Sequence, residues 1–592
     1  MKDADPAPVP IRFGTFELDP ESGELRKQGL KVRLQEQPFQ ILQILLEHPG
    51  KVVTREELQQ RIWPSDTFVD FDHGVYNAIQ KLREALGDSA DTPRYIETLS
   101  RRGYRFIAPL ITPVTGPAPE PRSSAPAAAE SRDSIAVLPF LNLSPDPENE
   151  FFADGMSEEI INALAQIEQL HVVARSSAFS FKGKHIDLRT IGEQLNVRTI
   201  LEGSVRRAGN HLRITAQLVK VADGYHLWSE RYDREMKDIF EVQDEIARSI
   251  AERLMVSLEG KREGPLVRAA TKNLEAYQLY LKGRAMLYQR GAAMLRAVKC
   301  FERAVALDPD YALAWAGLAD AHTVLGYYGL VPPAASMPKG TEAARRAVAL
   351  DPSLAEAHGA FAMCCLLHDW DLAAAEREFR CALKLNPRYI QAHCWYALFY
   401  LQLAVGRATE GIEHARLAVE SDPLSGYANS MLGMTYSAAG KYAEAVEASE
   451  RAVELDPDSF LARCSLQWAL RFSRRFEDAV AACNSALAIS GRHPWALSSL
   501  AMIFADWGKP ADAESVYAEM MARARREYVA PAELAIAATA VGMQDEAIGH
   551  AREAFEIRDP FCRIQFSKYW PDSARLREDP RFQEILLKFR LD

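Results

Sequence analysis

Five short segments in the second half of the chain, ALDPD, ALDPS, KLNPR, ESDPL and ELDPD, place prolines at 309, 352, 387, 423 and 457. The spacings are 43, 35, 36 and 34 residues. A unit this short cannot bury an apolar face alone, so it must stack on copies of itself. Between the prolines, small and large apolar residues recur at helical spacing. The small ones let two helices approach, the large ones fill the gap, and proline ends the second helix. Residues 270–592 are thereby predicted to be an all-α stack of helix pairs. We count about eight units, with weaker copies past Pro494 and Pro531 and degenerate last ones, as terminal caps are. The excess before Pro352 is YYGLVPPAASMPKG, read as a loop insertion.

One copy sets Leu432, Gly433, Tyr436, Ala445, Ala452 and Pro457 in register, and an earlier one sets Tyr288, Ala297, Phe301, Ala304 and Pro309. In these positions the stack resembles a tetratricopeptide repeat array. The resemblance implies a superhelix whose concave face takes peptides or protein segments, hence a protein partner. Trp315, Trp395, Trp468 and Trp495 are read as core. All eight cysteines follow residue 299 without CxxC spacing, which points to reduced, small buried hydrophobes. A metal site of Cys381, His393 and Cys394 lacks the usual ligand spacing.

Residues 10–108 read differently. IRFGTFELD and ELRKQGLKVRL alternate as strands do, with a turn at Gly29. EQPFQILQILLEHPG puts Phe39, Leu42, Leu45 and Leu46 on one helix face and stops at Pro49–Gly50. TREELQQRIWP opens with Thr54 and sets Glu57 three residues on, a capping box, and Pro64 ends that helix. In VYNAIQKLREALGD, Val75, Ala78, Ile79, Leu82 and Leu86 share a face. The other face carries Asn77, Lys81 and Glu84, flanked by His73, Gly74 and Gln80. RYIETLSRRGYRFIA is predicted to be a hairpin turning near Ser100–Gly103, where Gly103 takes a positive φ. Strands, three helices and a terminal hairpin make a winged helix-turn-helix, an α+β module.

LEHPGKVVTREELQQRIWP, KLREAL and YIETLSRRGYRF resemble the OmpR-type winged-helix DNA-binding domain, and the likeness extends to the N-terminal strands. It implies binding of double-stranded DNA. The major-groove side maps to His73, Gly74, Asn77, Lys81 and Arg83, and the wing to Ser100, Arg101 and Arg102, where the family commonly puts an arginine into the minor groove. The major groove, about 12 Å wide, admits a helix; Asn77 can pair with adenine, and Lys81 with guanine or phosphate. The outer face of this helix is poorer in arginine than the family's often is, and Ser100 stands near the usual arginine position. The family often works in phosphorelays through a receiver domain. None precedes the winged helix here, and residues 133–260 lack a receiver's early acidic pair and late lysine.

Charge limits the affinity of one such module. Residues 11–108 hold 14 Lys plus Arg against 15 Asp plus Glu, and residues 75–108 hold 6 against 4. Phosphate neutralisation supplies much of protein–DNA affinity. Tight binding is therefore expected to need two or more copies on repeated half-sites, a homo-oligomer on DNA.

A Pro/Ala/Ser-rich linker is predicted over 109–132 and an α/β sandwich over 133–260. SIAVLPF and LHVVAR read as strands, SEEIINALAQI as a helix capped by Ser157, and DLRTIGEQL as a helix. TILEGSVRRAGNHLRITAQLVKVADGYHLWSERYD reads as a hairpin turning at 208–210, with a third strand after Asp223–Gly224 and a last helix over 238–257. These segments resemble the TolB-like N-terminal domain of bacterial regulators with repeat-rich tails. Asp154, Glu158 and Glu159 are read as an acidic helix N-terminus rather than a cation site, and Arg206–Arg207 as a solvated turn rather than an anion site.

The 592 residues carry a net charge of -11, so attraction to nucleic acid must be local. HExxH, P-loop, GxSxG and kinase signatures are missing, which argues against an enzyme and for no cofactor. No run of apolar residues is long enough to span a bilayer, so a cytoplasmic chain with no membrane contact is expected. The sequence therefore reads as a multidomain transcription regulator. The rival reading is a scaffold whose winged helix serves protein contacts.

Overall fold

A computed structural model describes residues 11–13, 16–19, 24–27, 30–32, 34–62, 71–86, 88, 93, 95–99, 102–108 and 110–111 of the front part. Beyond it, residues 134–146, 149–165, 167, 169–184, 186–254, 270–289, 291 and 293–589 are described. The chain divides into two compact units, Met1–Ala128 and Ala129–Asp592.

In the first unit, β1 (Ile11–Phe13), β2 (Phe16–Asp19), β3 (Glu24–Lys27) and β4 (Leu30–Val32) form an antiparallel meander. Then follow α1 (Glu36–Glu47), β5 (Val52–Val53), α2 (Arg55–Ile62), α3 (Phe71–Leu86), β6 (Ile96–Leu99), β7 (Gly103–Phe106) and β8 (Leu110–Ile111). The wing sheet runs β5-β7-β6. One half of the expected capping box forms: the Glu57 N–H donates to Thr54 Oγ1 at 3.1 Å. Gly29, Pro64, Gly87 and nearly all of the expected linker lie outside the described residues. Leu110–Ile111, counted into that linker, instead forms β8, which pairs with β1 and extends the meander to five strands.

The second unit begins with β9 (Ser134–Val137), β10 (Leu141–Asn142), α4 (Glu150–Ala165), β11 (His171–Val172), α5 (Arg175–Phe179) and α6 (Leu188–Leu195). β12 (Thr199–Ala208), β13 (His211–Lys220), β14 (His226–Glu235) and α7 (Ile239–Arg253) complete this domain. The sheet order is β11-β9-β12-β13-β14, with β10 also on β12. The core packs Val205, Ile214 and Leu218 of the sheet with Ile160 and Leu164 of α4 and Val242 and Ile246 of α7. The hairpin turn falls at Gly209–Asn210 as the sequence predicts, with Gly209 at φ +60°. Ser157 does not cap a helix. α4 starts seven residues earlier, and the buried Ser157 hydroxyl accepts from Phe140 N at 2.8 Å and donates to Ala153 O. Within this helix Gly155 lets Leu281 of the helix Leu274–Gln289 pack close, for its Cδ1 would stand 2.4 Å from a Cβ there.

Helix pairs fill residues 274–589. Helices end at Leu307, Leu350, Leu385, Ser421 and Leu455, each two residues before a repeat proline. The presumed insertion is mostly not a loop: Pro333–Leu350 is one helix, with Pro333 in its first turn and Pro338 inside it. The long spacings have a local cause. Cys365–Asp369 and Tyr396–Ala404 are π-helical and lie in the 35- and 36-residue intervals. A π turn accommodates extra residues without leaving the helix axis.

The concave side is not an open groove along its length. In the helices 312–327, 396–404, 494–507 and 531–540, residues are buried around nearly the whole circumference. Such helices pack on both sides. Tyr327 meets Trp495, Phe399 and Phe561 at ring distances of 5.8, 5.2 and 5.8 Å. Trp468 packs on Trp570 at 4.7 Å. The Ser567 hydroxyl donates to Leu403 O at 2.6 Å, and Arg558 donates to His368 O at 2.9 Å. The chain's own C-terminal segment thus fills much of the interior. Trp395, Trp468 and Trp495 are buried, while Trp315 is half-buried with its indole N–H on Pro309 O.

Candidate nucleic-acid interface

α3 separates its faces as its sequence dictates. Val75, Ala78, Ile79, Leu82 and Leu86 are buried against α1 and the wing, while Asn77 and Lys81, one turn apart, are exposed. Lys81 Nζ donates to Gln35 Oε1 at 2.8 Å, which steadies the ammonium beside the start of α1. A single exposed bond of this kind is weak enough to be exchanged for a phosphate oxygen. Gly74 is half-buried, and His73 lies in α3 with its side chain outside the described residues.

Arg83 departs from its expected place in the groove. Its side chain is buried and donates to Ile96 O and Thr98 Oγ1, both at 2.8 Å. The spacing contained the signal: position 83 is four residues past Ile79 and eight past Val75, on the apolar face. Asp88 continues the same seam, accepting from Tyr95 N and Ile96 N at 3.2 and 2.8 Å. These bonds fix the wing's first strand against the end of α3. Sequence reasoning missed Asp88 and Gln35, because their partners are seven, eight and 46 positions away.

In the wing, Arg102 is exposed and its backbone N–H closes the turn on Leu99 O at 2.9 Å. Ser100 and Arg101 lie outside the described residues. Gly103 has φ +139°, and a Cβ there would stand 2.1 Å from Val53 O, so only glycine lets β7 reach β5. Arg105 is paired with Glu97, with Nε to Oε2 at 2.8 Å. Among the described residues of 75–108, Lys81 and Arg102 are thus the exposed cations with no carboxylate on them.

The acidic trio of α4 is not a helix N-terminus. Asp154 binds Lys182 at 2.6 Å, and buried Glu158 bonds Arg175 at 3.2 Å and Arg284 of the first array helix. Burial raises the Glu158 carboxyl, and the two guanidiniums more than offset that, so its pKa lies below the usual range. Burial and the Glu158 charge push Glu159 up to about 7. Nearby, Tyr280, Arg284, Tyr288, Asp320, Glu356 and Tyr389 line a recess of ≈ 80 Å³. Asp422 makes a second tie, accepting from Ser177 N at 3.0 Å and from the Ser176 and Ser177 hydroxyls. Arg207 holds Gly209 O at 3.1 Å, whereas Arg206 is exposed. Of the cysteine–histidine trio, His393 bonds His414 and Pro387 O, each at 2.9 Å. No metal-binding group of His, Cys, Asp or Glu occurs among the described residues.

Residues 29–106 match the family described as transcriptional regulatory protein, C terminal. Residues 131–249 match the second domain of HilA/YgeH-like transcriptional regulators, and residues 427–459 match a tetratricopeptide repeat. The transcriptional regulator HilA of Salmonella typhi is 25% identical over 442 residues, 72% of this chain and 74% of that one. The chain is thus a relative of DNA-binding transcriptional regulators. The chain is also 38% identical over 274 residues to a protein named putative adenylate cyclase 3 from Rhizobium meliloti (strain 1021). That match covers 46% of this chain and 43% of the relative's length. The solved Klebsiella pneumoniae RstA DNA-binding domain, in complex with the RstA box, is 31% identical and covers 17% of this chain and 96% of its own, with a TM-score of 0.15. Among the described residues, no helix is long and apolar enough to cross a membrane.

Proposed function

We propose that this regulator docks α3 in the major groove of duplex DNA and its wing in the adjoining minor groove. Asn77 reads a base edge, Lys81 contacts a guanine or a phosphate, and Gly74 and His73 stand at the helix's groove end. Ser100, Arg101 and Arg102 form the minor-groove tip. Arg83 acts through the wing rather than on DNA. The observation that carries this reading is the exposed Asn77–Lys81 pair opposite an apolar face, with the Arg102 turn tied alongside.

The remaining domains then supply the input. The middle domain, for which we keep the TolB-like kinship, and the repeat array receive a protein partner on surfaces the self-packed interior leaves free. We read the chain as cytoplasmic, without a membrane contact and without an enzymatic step. A gel-shift with genomic duplex fragments tests the reading: full-length protein should retard specific fragments, and Lys81→Ala with Arg102→Ala should abolish the shift. The near-neutral front module favours one rival, a repeat scaffold whose winged helix binds protein. No retardation at low salt would select it. Incubation with ATP tests the non-enzyme reading, and formation of cyclic AMP would overturn it.

A further inference from the structure

β14 ends the six-stranded sheet and pairs with β13 along one side. It is ten residues long, and Ser229, Glu230, Arg231, Asp233 and Arg234 are exposed, while Trp228 and Tyr232 reach the core. An edge of that length presents a row of backbone N–H and C=O groups able to take another strand. The charges along it are antisymmetric about Tyr232. Arg231 and Asp233 flank it at one step, Glu230 and Arg234 at two.

We propose that two copies of this chain join edge to edge through β14, antiparallel, with the two-fold axis at Tyr232. In that register Arg231 of each copy lies opposite Asp233 of the other, and Glu230 opposite Arg234. Each relation occurs twice, so opposite charges meet at positions 230, 231, 233 and 234, while Glu235 stands opposite the uncharged Ser229. Alternate residues point to opposite faces, so both faces of the joined sheet share these pairs. An axis at Glu230, Arg231 or Asp233 would set that residue against its own copy, like charge on like charge, which is destabilising. The existing bonds within the chain are compatible. Asp233 holds Arg213 at 2.6 Å and Arg231 at 3.1 Å, and Glu230 accepts from Trp228 and Tyr232, each at 3.2 Å. A carboxylate has lone pairs for further donors. The same charges guard the edge against uncharged strands, so they select a copy of this chain. The pairing does not depend on the DNA reading, yet it would place two winged helices on one particle.

Sedimentation of the full chain from about 1 to about 100 µM tests it. The wild type should dimerise, more weakly as salt rises. Arg231→Asp with Arg234→Glu makes an acidic edge, and Glu230→Arg with Asp233→Arg a basic one. Each should lose association at least tenfold while keeping the wild-type circular dichroism, and an equimolar mixture should recover a 1:1 dimer. A register check avoids charge reversal. A chain carrying Ser229→Cys and Glu235→Cys should cross-link to a covalent dimer on mild oxidation, and one carrying Ser229→Cys and Asp233→Cys should not. A monomeric wild type over the whole range, dimerisation of both edge variants, or cross-linking of the second cysteine pair alone would overturn the proposal.

Discussion

The Arg83 guanidinium donates to the Thr98 hydroxyl at 2.8 Å, and the same nitrogen donates to Ile96 O. A cation on the proposed reading helix is thus held inside the module, fixing the wing against α3. Removing it should act on stability first. Arg83→Ala is expected to cost about 2–3 kcal/mol, because buried bonds from a charged donor are lost and their acceptors stay behind. Urea unfolding of residues 1–128, a compact unit, measures this, and Lys81→Ala should leave the same midpoint unchanged.

Lys81 and Arg102 should show the opposite pattern. Each phosphate contact contributes a slope of about −0.9 to the dependence of log affinity on log salt. The double alanine variant should unfold like the wild type and lose up to about 2 units of that slope. Fluorescence anisotropy with a bound duplex at several salt concentrations reads both affinity and slope.

Gly103 tests whether wing position matters apart from charge. A methyl group there would strike Val53 O, on a backbone L-residues rarely adopt. Gly103→Ala should displace β7 from β5, cost about 1–3 kcal/mol, and weaken DNA binding with no change in net charge. A variant with normal binding would mean that the wing is not a contact.

Glu158→Ala leaves Arg284 and Arg175 without their shared carboxylate at a buried junction. Breaking such a pair costs about 3–5 kcal/mol. Hydrogen exchange should accelerate in α4 and in Leu274–Gln289 while the winged helix stays protected.

Glu533 gives the array a pH dependence. It is buried, accepts from the Ser498 hydroxyl, and burial pushes its pKa from 4.5 to about 8. The folded chain therefore holds a proton that the unfolded chain releases near its ordinary pKa. The associated stability is full below pH 4.5 and is lost as pH rises towards about 8. The difference is on the order of 5 kcal/mol. Glu533→Gln should flatten the thermal midpoint over that window, read by calorimetry.

Local chemistry was enough for much of this protein. Helix ends follow the repeat prolines because proline forbids the helix on the residue before it, and α3 shows its apolar face at 3.6-residue spacing. Asn77 and Lys81 are exposed for the same reason. Gly103 was legible as a positive-φ position, though not the Val53 carbonyl that requires it. What depended on distant partners was not. Arg83 looked like a contact although its spacing put it on the apolar face, and Ser157 looked like a cap because Phe140, whose N–H its hydroxyl takes, lies 17 positions upstream. The concave face looked open because repeat motifs encode how one unit stacks on the next. They do not encode the curvature that brings Tyr327 onto Phe561, 234 positions away by numbering. Sequence by itself determined the elements and their faces, since these depend on residues within a turn or two. Tertiary structure alone decided which exposed-looking groups are captured and which surfaces remain free, because burial is a property of what folds back from far along the chain.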